Sequence, residues 1–322
     1  MLNRKLTRRS TNRYDNTAYL YLLPAFLLLG IFTIYPIINT FITSFKDNFQ
    51  FLTGNFAGIN LSNYIKIIGD STFRRALLNT FFIAFVCVPA TILISLILAL
   101  CLNSVKRLQG LYLTLFYLPQ VTNVIASGLV FSFIFNTHFG LINMVLGWFG
   151  IHPVAWISGE GIVGSPERYN QAYARSLFIL FVYSVWEGLS LHVLLFMRGL
   201  QNINKEYYEA AQVDGASRWR MIRSITLPLL SPTTSFLFVT SIIFAFRAYA
   251  SVVALFGKTY GPPGDDSKMM ITLVGYIMDS LGDYLSPGAI SSAGAAAVVL
   301  VLMVMVVVFV QLFLMKRWVH YQ

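Results

Sequence analysis

Six long apolar runs constrain what this chain can fold into more than any other feature. A helix needs about 20 apolar residues to cross a hydrocarbon core of about 30 Å. The runs are Tyr19–Ser44, Ala76–Leu102, Leu111–Asn136, Tyr173–Met197, Leu229–Phe256 and Ala289–Met315. The chain is 57% hydrophobic and 11% charged, whereas soluble domains carry about 25% charged residues. Since the alternating segments of membrane strands are absent, the sequence predicts an all-α membrane protein with six spans.

The distribution of Lys and Arg predicts the orientation. These residues are more frequent in the segments that face one side, including the basic tails at 1–18 and 317–322. The positive-inside rule places both termini in the cytoplasm. This topology accounts for the net charge of +10 without a nucleic-acid partner. The apolar stretch Met269–Leu281 is too short to span and is expected to lie along the outer surface.

A charged segment at Glu206–Pro228 separates the fourth and fifth runs, on the predicted cytoplasmic side. Good helix formers predict a helix over Lys205–Val213, and Gly215 follows where a left-handed cap needs little energy. A second helix is expected over Ala216–Ser224, before the proline that opens the fifth span. On these grounds alone the segment fits an ordinary solvated loop equally well.

The spacing of the fixed residues adds a family resemblance. Glu209-Ala210-Ala211, three residues, Gly215, nine residues and then Ile225-Thr226-Leu227-Pro228 resemble the EAA signature of ABC importer permeases. The stretches FRRALLNT, LPQV and KRWVHYQ extend the resemblance to the sugar and glycerol-3-phosphate branch, over nearly the whole chain from Tyr19. It implies a type I importer fold with a first transmembrane helix at 19–44 and a permease domain at 72–316 that contains the 206–228 coupling loop.

The resemblance also implies partners and a location. Such permeases lie in the bacterial plasma membrane with a second homologous permease, two ATPase subunits and an extracytoplasmic solute-binding protein. ATP and Mg²⁺ would bind the ATPase subunits, so no cofactor, metal or catalytic residue is expected on this chain. The residues expected to dock on the ATPase are Glu209, Ala210, Ala211 and Gly215, with Arg218 and Arg220 beside the signature.

Polar and aromatic residues inside the spans are candidates for a translocation pathway. Ionisable groups in the hydrocarbon usually face a bundle interior or a wet cavity. Glu187 and Arg247 could line such a cavity, or they could form a mutual salt bridge between the fourth and fifth spans. His192 could contribute to the pathway or bridge two helices by hydrogen bonds. Trp186 and Tyr249 could stack on a sugar ring, or they could serve only in packing.

The predicted cargo is a sugar or oligosaccharide, with glycerol-3-phosphate or a related anionic polyol as the alternative. Arg247 favours an anion, and it stands where related permeases often carry Asp after Phe. TYGPPGDDS likewise replaces their Gly-Gly-Pro turn. An ion-coupled secondary transporter would need an acidic ion site and inverted repeats, neither of which is evident. A membrane scaffold without a pathway would not need charged groups in its spans.

Overall fold

The structure is a computed structural model that describes residues 12–105, 107–157, 165–262 and 267–316. Most of the predicted tails, residues 1–11 and 317–322, lie outside this part of the chain. The described residues form helices and one two-stranded antiparallel pairing, Lys46–Asp47 with Gly58–Ile59. The α-helices are α1 (Asn12–Leu29), α2 (Tyr35–Ser44), α3 (Ser62–Gly69), α4 (Ser71–Phe82), α5 (Val88–Ser104), α6 (Gln109–Val121), α7 (Val124–Ile134), α8 (Leu141–Trp148), α9 (Pro166–Gln201), α10 (Lys205–Val213), α11 (Arg218–Met221), α12 (Leu227–Leu229), α13 (Ser231–Phe246), α14 (Ala250–Phe256), α15 (Leu273–Gly282) and α16 (Ala289–Met315). Three π-helical turns, π1 (Gly30–Ile34), π2 (Ile83–Cys87) and π3 (Ile222–Thr226), join neighbouring α-helices.

Each π-helical turn lies just before a proline, namely Pro36, Pro89 and Pro228. Proline lacks a backbone N–H, and its ring clashes with the carbonyl four residues earlier. At each site the residue before the proline donates its N–H across the wider turn, to the first carbonyl of that turn. The wider turn therefore lets the chain pass the proline without ending the helix.

Four continuous helices in the described ranges are long and apolar enough to cross a membrane. They are Tyr19–Ser44, Ser71–Ser104, Pro166–Gln201 and Ala289–Met315. They agree with the first, second, fourth and sixth predicted spans. The number rises to six if each of two bent helix pairs counts as one span.

The predicted span Leu111–Asn136 is not one continuous helix, because α6 and α7 meet at an angle of 99°. Thr122 and Asn123 are extended at the break. The Asn123 side chain then caps α7 by accepting the N–H of Ile125 at 2.8 Å. The break is thus a helix end and a new helix start within one apolar run.

The predicted span Leu229–Phe256 is also corrected. Its helical pair is Arg218–Leu229 with Ser231–Phe246, bent by 59°. Arg247 follows as the C-cap, and α14 starts afresh at Ala250. Arg247 therefore lies at a helix end rather than inside a continuous helix.

Small residues allow the helices to approach closely. A Cβ placed on Gly128 of α7 would lie 2.4 Å from Cβ of Ala254 in α14. A Cβ on Gly188 of α9 would lie 2.7 Å from Cγ2 of Thr91 in α5. Close backbone approach of this kind is typical of packing between membrane helices.

The stretch Met269–Leu281 does not simply lie on the surface as predicted. Met269, Met270 and Ile271 are fully buried. Asn79 of α4 donates to the carbonyls of Met269 at 3.1 Å and Ile271 at 2.8 Å. Thr80 accepts the N–H of Leu273 at 3.0 Å. Polar side chains of α4 thus satisfy the backbone of a buried, non-helical segment, which is what burial of such backbone requires.

Helix α15 follows this segment and is fixed to the start of α4. Tyr276 donates its hydroxyl to Asp70 at 2.9 Å, and its ring contacts Phe73 edge to face. Burial first, and then the Asp70 carboxylate, raise the pKa of Tyr276. The neutral phenol is therefore the form that this contact stabilises.

Candidate functional site

The predicted coupling segment begins with a well-capped helix. Asn204 precedes α10, and its Oδ1 accepts the N–H of Glu206 at 3.1 Å while its Nδ2 donates to the Glu206 carboxylate at 3.0 Å. Glu209 and Ala210 are exposed, and Ala211 is half-buried. Glu209 and Ala210, which open the signature, thus lie on the surface of a short helix.

Gly215 ends this helix in the left-handed conformation that the sequence predicts. Its φ is +72°, and a Cβ there would meet nothing within 4 Å. Ala216 donates its N–H to the Ala211 carbonyl at 2.9 Å, and Gly215 donates to Gln212 at 3.0 Å. This pair of bonds is the Schellman motif. Glycine is required by the backbone conformation and not by lack of space.

The second part of the segment turns back towards the membrane helices. The expected helix over Ala216–Ser224 starts only at Arg218, after Ser217 caps it by accepting the N–H of Arg220 at 3.4 Å. It continues through π3 into α12. The hydroxyls of Tyr208 and Thr226 share a hydrogen bond of 3.0 Å, so α10 is tied to π3.

The exposed side of this segment has features that the sequence analysis missed. Val213 is 88% exposed and Trp219 is 70% exposed. A notch of about 230 Å³ lies between the two short helices. Its lining residues are Ala211, Asp214, Ala216, Arg220, Met221, Ser224 and Ile225. The sequence did contain a signal for this exposed surface, namely apolar residues within a polar, helix-forming segment. Such residues in a solvated loop have no core to pack into, so they indicate a contact with a partner.

Glu187 and Arg247 do not form the mutual salt bridge that was one interpretation of the sequence. Within the described ranges the ion pair joins Lys268 and Asp279 instead. Glu187 is half-buried on α9, and its carboxylate has neither a hydrogen bond nor an ion pair there. Arg247 is exposed at the break between α13 and α14. Both charges are therefore without a partner of opposite sign within the described chain.

His192 bridges two helices. One ring nitrogen lies 2.6 Å from the Gly188 carbonyl of its own helix, and the other lies 2.8 Å from the Ser241 hydroxyl of α13. The ring is buried. Both ring nitrogens are thus satisfied within the protein, which agrees with the structural alternative for this residue.

The two aromatic candidates lie in different surroundings. Trp186 of α9 contacts Phe131 and Tyr183, with ring centroids 5.0 and 6.2 Å away. It also borders a cavity of about 290 Å³ between α6 and α9. Tyr249 lies beside Arg247 at the break, 6.5 Å from the ring of Tyr260. The structure thus places Trp186 next to Glu187 on α9, and Tyr249 near Arg247 at the break after α13.

Comparison with known proteins adds a family match and close relatives. The family model described as "Binding-protein-dependent transport system inner membrane component" matches residues 54–320. An arabinooligosaccharides transport system permease protein of Bacillus subtilis is 32% identical over 261 residues, covering 80% of this chain and 76% of the relative. A trehalose/maltose transport system permease protein of Thermococcus litoralis is 29% identical over 290 residues, covering 90% and 92%.

A solved structure shares the fold. It is a bacterial ABC transporter involved in the import of the acidic polysaccharide alginate. The superposition has a TM-score of 0.75 at 23% identity and covers 95% of this chain and 96% of the other. This chain therefore shares the fold of a chain in that structure.

Proposed function

This chain belongs to the family of binding-protein-dependent transport system inner membrane components, and from that membership we propose that it works as half of the pathway of an ATP-driven carbohydrate importer. It is a multi-pass membrane protein and a permease subunit of a sugar ABC transporter. The cargo that we propose is an oligosaccharide. The names of its relatives support this class, since they describe permeases for arabinooligosaccharides and for trehalose and maltose.

The observation that carries the proposal is the construction of the coupling segment. α10 has a side-chain cap at its start, a Schellman motif at its end and a tie to π3 through Tyr208. A segment restrained at these three points transmits a displacement instead of absorbing it. In this proposal the ATPase contacts Glu209, Ala210, Ala211 and Gly215, with Arg218 and Arg220 at the edge. ATP and Mg²⁺ bind the ATPase subunits, and their closure moves α10 together with the helices that follow π3.

The solute passes beside the polar residues of α9 and the break after α13. Glu187 offers a carboxylate as acceptor for sugar hydroxyls, and Arg247 offers donors. Trp186 and Tyr249 present rings beside them. His192 holds α9 against α13 through its hydrogen bond to Ser241 and has a structural role beside the pathway. A second homologous permease supplies the other half of the pathway, and an extracytoplasmic binding protein delivers the solute.

The docking face is tested by adding bulk to it. Ala210→Trp places a large side chain on the exposed face of α10, and Gln212→Trp places the same side chain on the flank beside Tyr208. The tagged chain is extracted from membranes, and the copurified ATPase is measured. We expect Ala210→Trp to lose the ATPase and Gln212→Trp to retain it. Equal retention by both variants would show that the ATPase does not dock on this face.

The cargo is tested by uptake into cells that carry the complete transporter. Labelled arabino- and malto-oligosaccharides are compared with sn-glycerol-3-phosphate. We expect the cells to take up an oligosaccharide. Glu187→Gln and Arg247→Gln should each lower this uptake. Arg74→Gln, which changes an exposed arginine of α4, should leave it unchanged. Uptake of sn-glycerol-3-phosphate alone would indicate that the cargo is an anionic polyol and not a sugar. The ion gradients are then dissipated while the ATP level is kept constant. Loss of uptake under these conditions would indicate a secondary transporter.

The orientation follows the charge distribution. We propose a bacterial plasma membrane location with both termini in the cytoplasm, so that the coupling segment meets the ATPase there. A cysteine introduced at exposed Gln212 is then protected from impermeant reagents in intact cells and labelled in broken cells. Labelling in intact cells would show that the coupling segment lies on the outer side, which is the opposite topology.

A further inference from the structure

Helix α3 exposes several large aliphatic side chains while it buries an asparagine. Asn63 and Ile67 face the protein and are buried, at 2% and 0% exposure. Leu61, Ile65 and Ile68 are 58, 72 and 63% exposed. These three residues are spaced four and three apart, so they form one face of the helix. The buried side therefore includes an asparagine, and Leu61, Ile65 and Ile68 form an exposed aliphatic face beside the exposed Lys66.

The position of α3 is fixed at the end of the first span. The Asn63 side chain donates to the carbonyls of Ser44 at 2.9 Å and Lys46 at 3.0 Å. The Tyr64 hydroxyl shares a hydrogen bond of 2.7 Å with Ser44, the last residue of α2. α3 therefore lies at the depth where the first span ends.

The last span begins at the same depth. Ser291, in the first turn of α16, donates to Asn63 Oδ1 at 3.4 Å. Gly288, just before α16, donates its N–H to the Phe49 carbonyl at 3.0 Å. Since two membrane-spanning helices end and begin here, α3 lies at one boundary of the bilayer.

The surroundings of α3 fit such a boundary. The Lys46 ammonium lies 5.0 Å from the ring centroid of Phe49 and 5.3 Å from that of Phe56. Lysine and aromatic rings are typical of the headgroup region. The first span, to whose last residue Tyr64 is bonded, has an apolar stretch of which no residue is buried inside the protein.

We propose that α3 is an interfacial helix that inserts Leu61, Ile65 and Ile68 into the bilayer where headgroups meet acyl chains. Lys46, held between two aromatic rings, lies at headgroup level beside it. Because Asn63 bonds both the end of α2 and the start of α16, the inserted helix fixes the depth of these two spans together. This proposal is independent of the cargo and of the ATPase contact.

The test measures what covers each side chain. In a chain whose native cysteines Cys87 and Cys101 are replaced by alanine, single cysteines at Leu61, Ile65 or Ile68 receive a nitroxide label. The complex is purified from membranes and returned to phospholipid vesicles. Collision of the label with oxygen, which dissolves in lipid, is compared with collision with a water-soluble nickel chelate. Lys66→Cys, on another side of the same helix, is the matched control.

We expect the ratio of oxygen to nickel collisions at 61, 65 and 68 to exceed the ratio at 66. Nickel access at these positions equal to that at 66 would show a face in water. Shielding from both reagents would show a face covered by protein. Either result overturns the proposal, and three separate positions keep it testable if one variant does not assemble.

Discussion

Substitution of Gly215 by alanine tests whether the coupling segment works as an ordered unit. A Cβ at this position would contact nothing within 4 Å, so the penalty comes from φ of +72° alone. The left-handed conformation costs an L-residue about 1–2 kcal/mol relative to glycine. That energy corresponds to a factor of about 5–30 in the ratio of ordered to disordered turn.

The expected result is weaker coupling without loss of the protein. Affinity for the ATPase falls in proportion to the fraction of chains in the binding-competent state. The apparent dissociation constant of the ATPase therefore rises by up to about 5–30-fold in Gly215→Ala. Gly215→Asn should lose less, because asparagine visits the left-handed region more readily. Binding is measured by titrating purified ATPase onto the permease in vesicles, and uptake is measured in cells.

Gly150→Ala is the matched control. Gly150 has φ of +70° and open space around it, so the backbone penalty is the same at a site far along the chain from α10. We expect it to leave ATPase binding unchanged. If Gly150→Ala and Gly215→Ala weaken binding alike, general destabilisation explains both. If Gly215→Ala binds like the unaltered chain, the ordered cap has no part in coupling.

Three further substitutions test the packing that positions the site. Ser241→Ala removes the partner of His192, and we expect a stability loss of about 0.6–2 kcal/mol with uptake retained, measured by thermal unfolding and transport. Gly128→Ala forces a Cβ against Ala254 and should cost about 1–3 kcal/mol, which Ala254→Gly in the same chain should restore in the same unfolding assay. Asn79→Ala leaves two buried carbonyls unpaired and should lower the melting temperature, at about 1–3 kcal/mol for each carbonyl.

Matched variants separate these effects from generic ones. Asn202→Ala changes an exposed asparagine at the end of α9, and Gly147→Ala adds a Cβ where nothing lies within 4 Å. Both should unfold at the temperature of the unaltered chain. A melting temperature for Asn79→Ala equal to that of Asn202→Ala would contradict the hydrogen-bond argument. Loss of uptake without loss of stability in Ser241→Ala would give His192 a direct pathway role.

The sequence predicts the coupling segment well because its signals are local. A run of helix formers and a glycine at the end predict α10 and its left-handed cap, and the structure adds the asparagine that caps its start. The apolar runs likewise predict the four continuous spans, since lipid leaves a helix as the only satisfied backbone for an uninterrupted run.

The breaks could not be predicted in the same way. Arg247 ends α13 without a proline or glycine beside it, so no local signal marks that end. The bend after α6 has a signal in Pro119, but its angle of 99° depends on the packing of α7 against α14. The burial of Met269–Leu273 depends on hydrogen bonds from Asn79 to its carbonyls, and these partners are 190 residues or more apart in the chain. Apolar composition alone does not distinguish a segment that faces lipid from one buried in protein.

The charged residues near the proposed pathway agree with the proposal that another subunit supplies the second half of that pathway. Glu187 is half-buried without a hydrogen bond or an ion pair in the described ranges, and Arg247 is exposed at a helix break. An unpaired charge at membrane depth requires water or a partner of opposite sign. The described part of the chain offers Glu187 no such partner, and the face that carries Arg247 is open. A second permease that closes over this face would supply both, and it would turn two unsatisfied charges into the lining of a wet cavity.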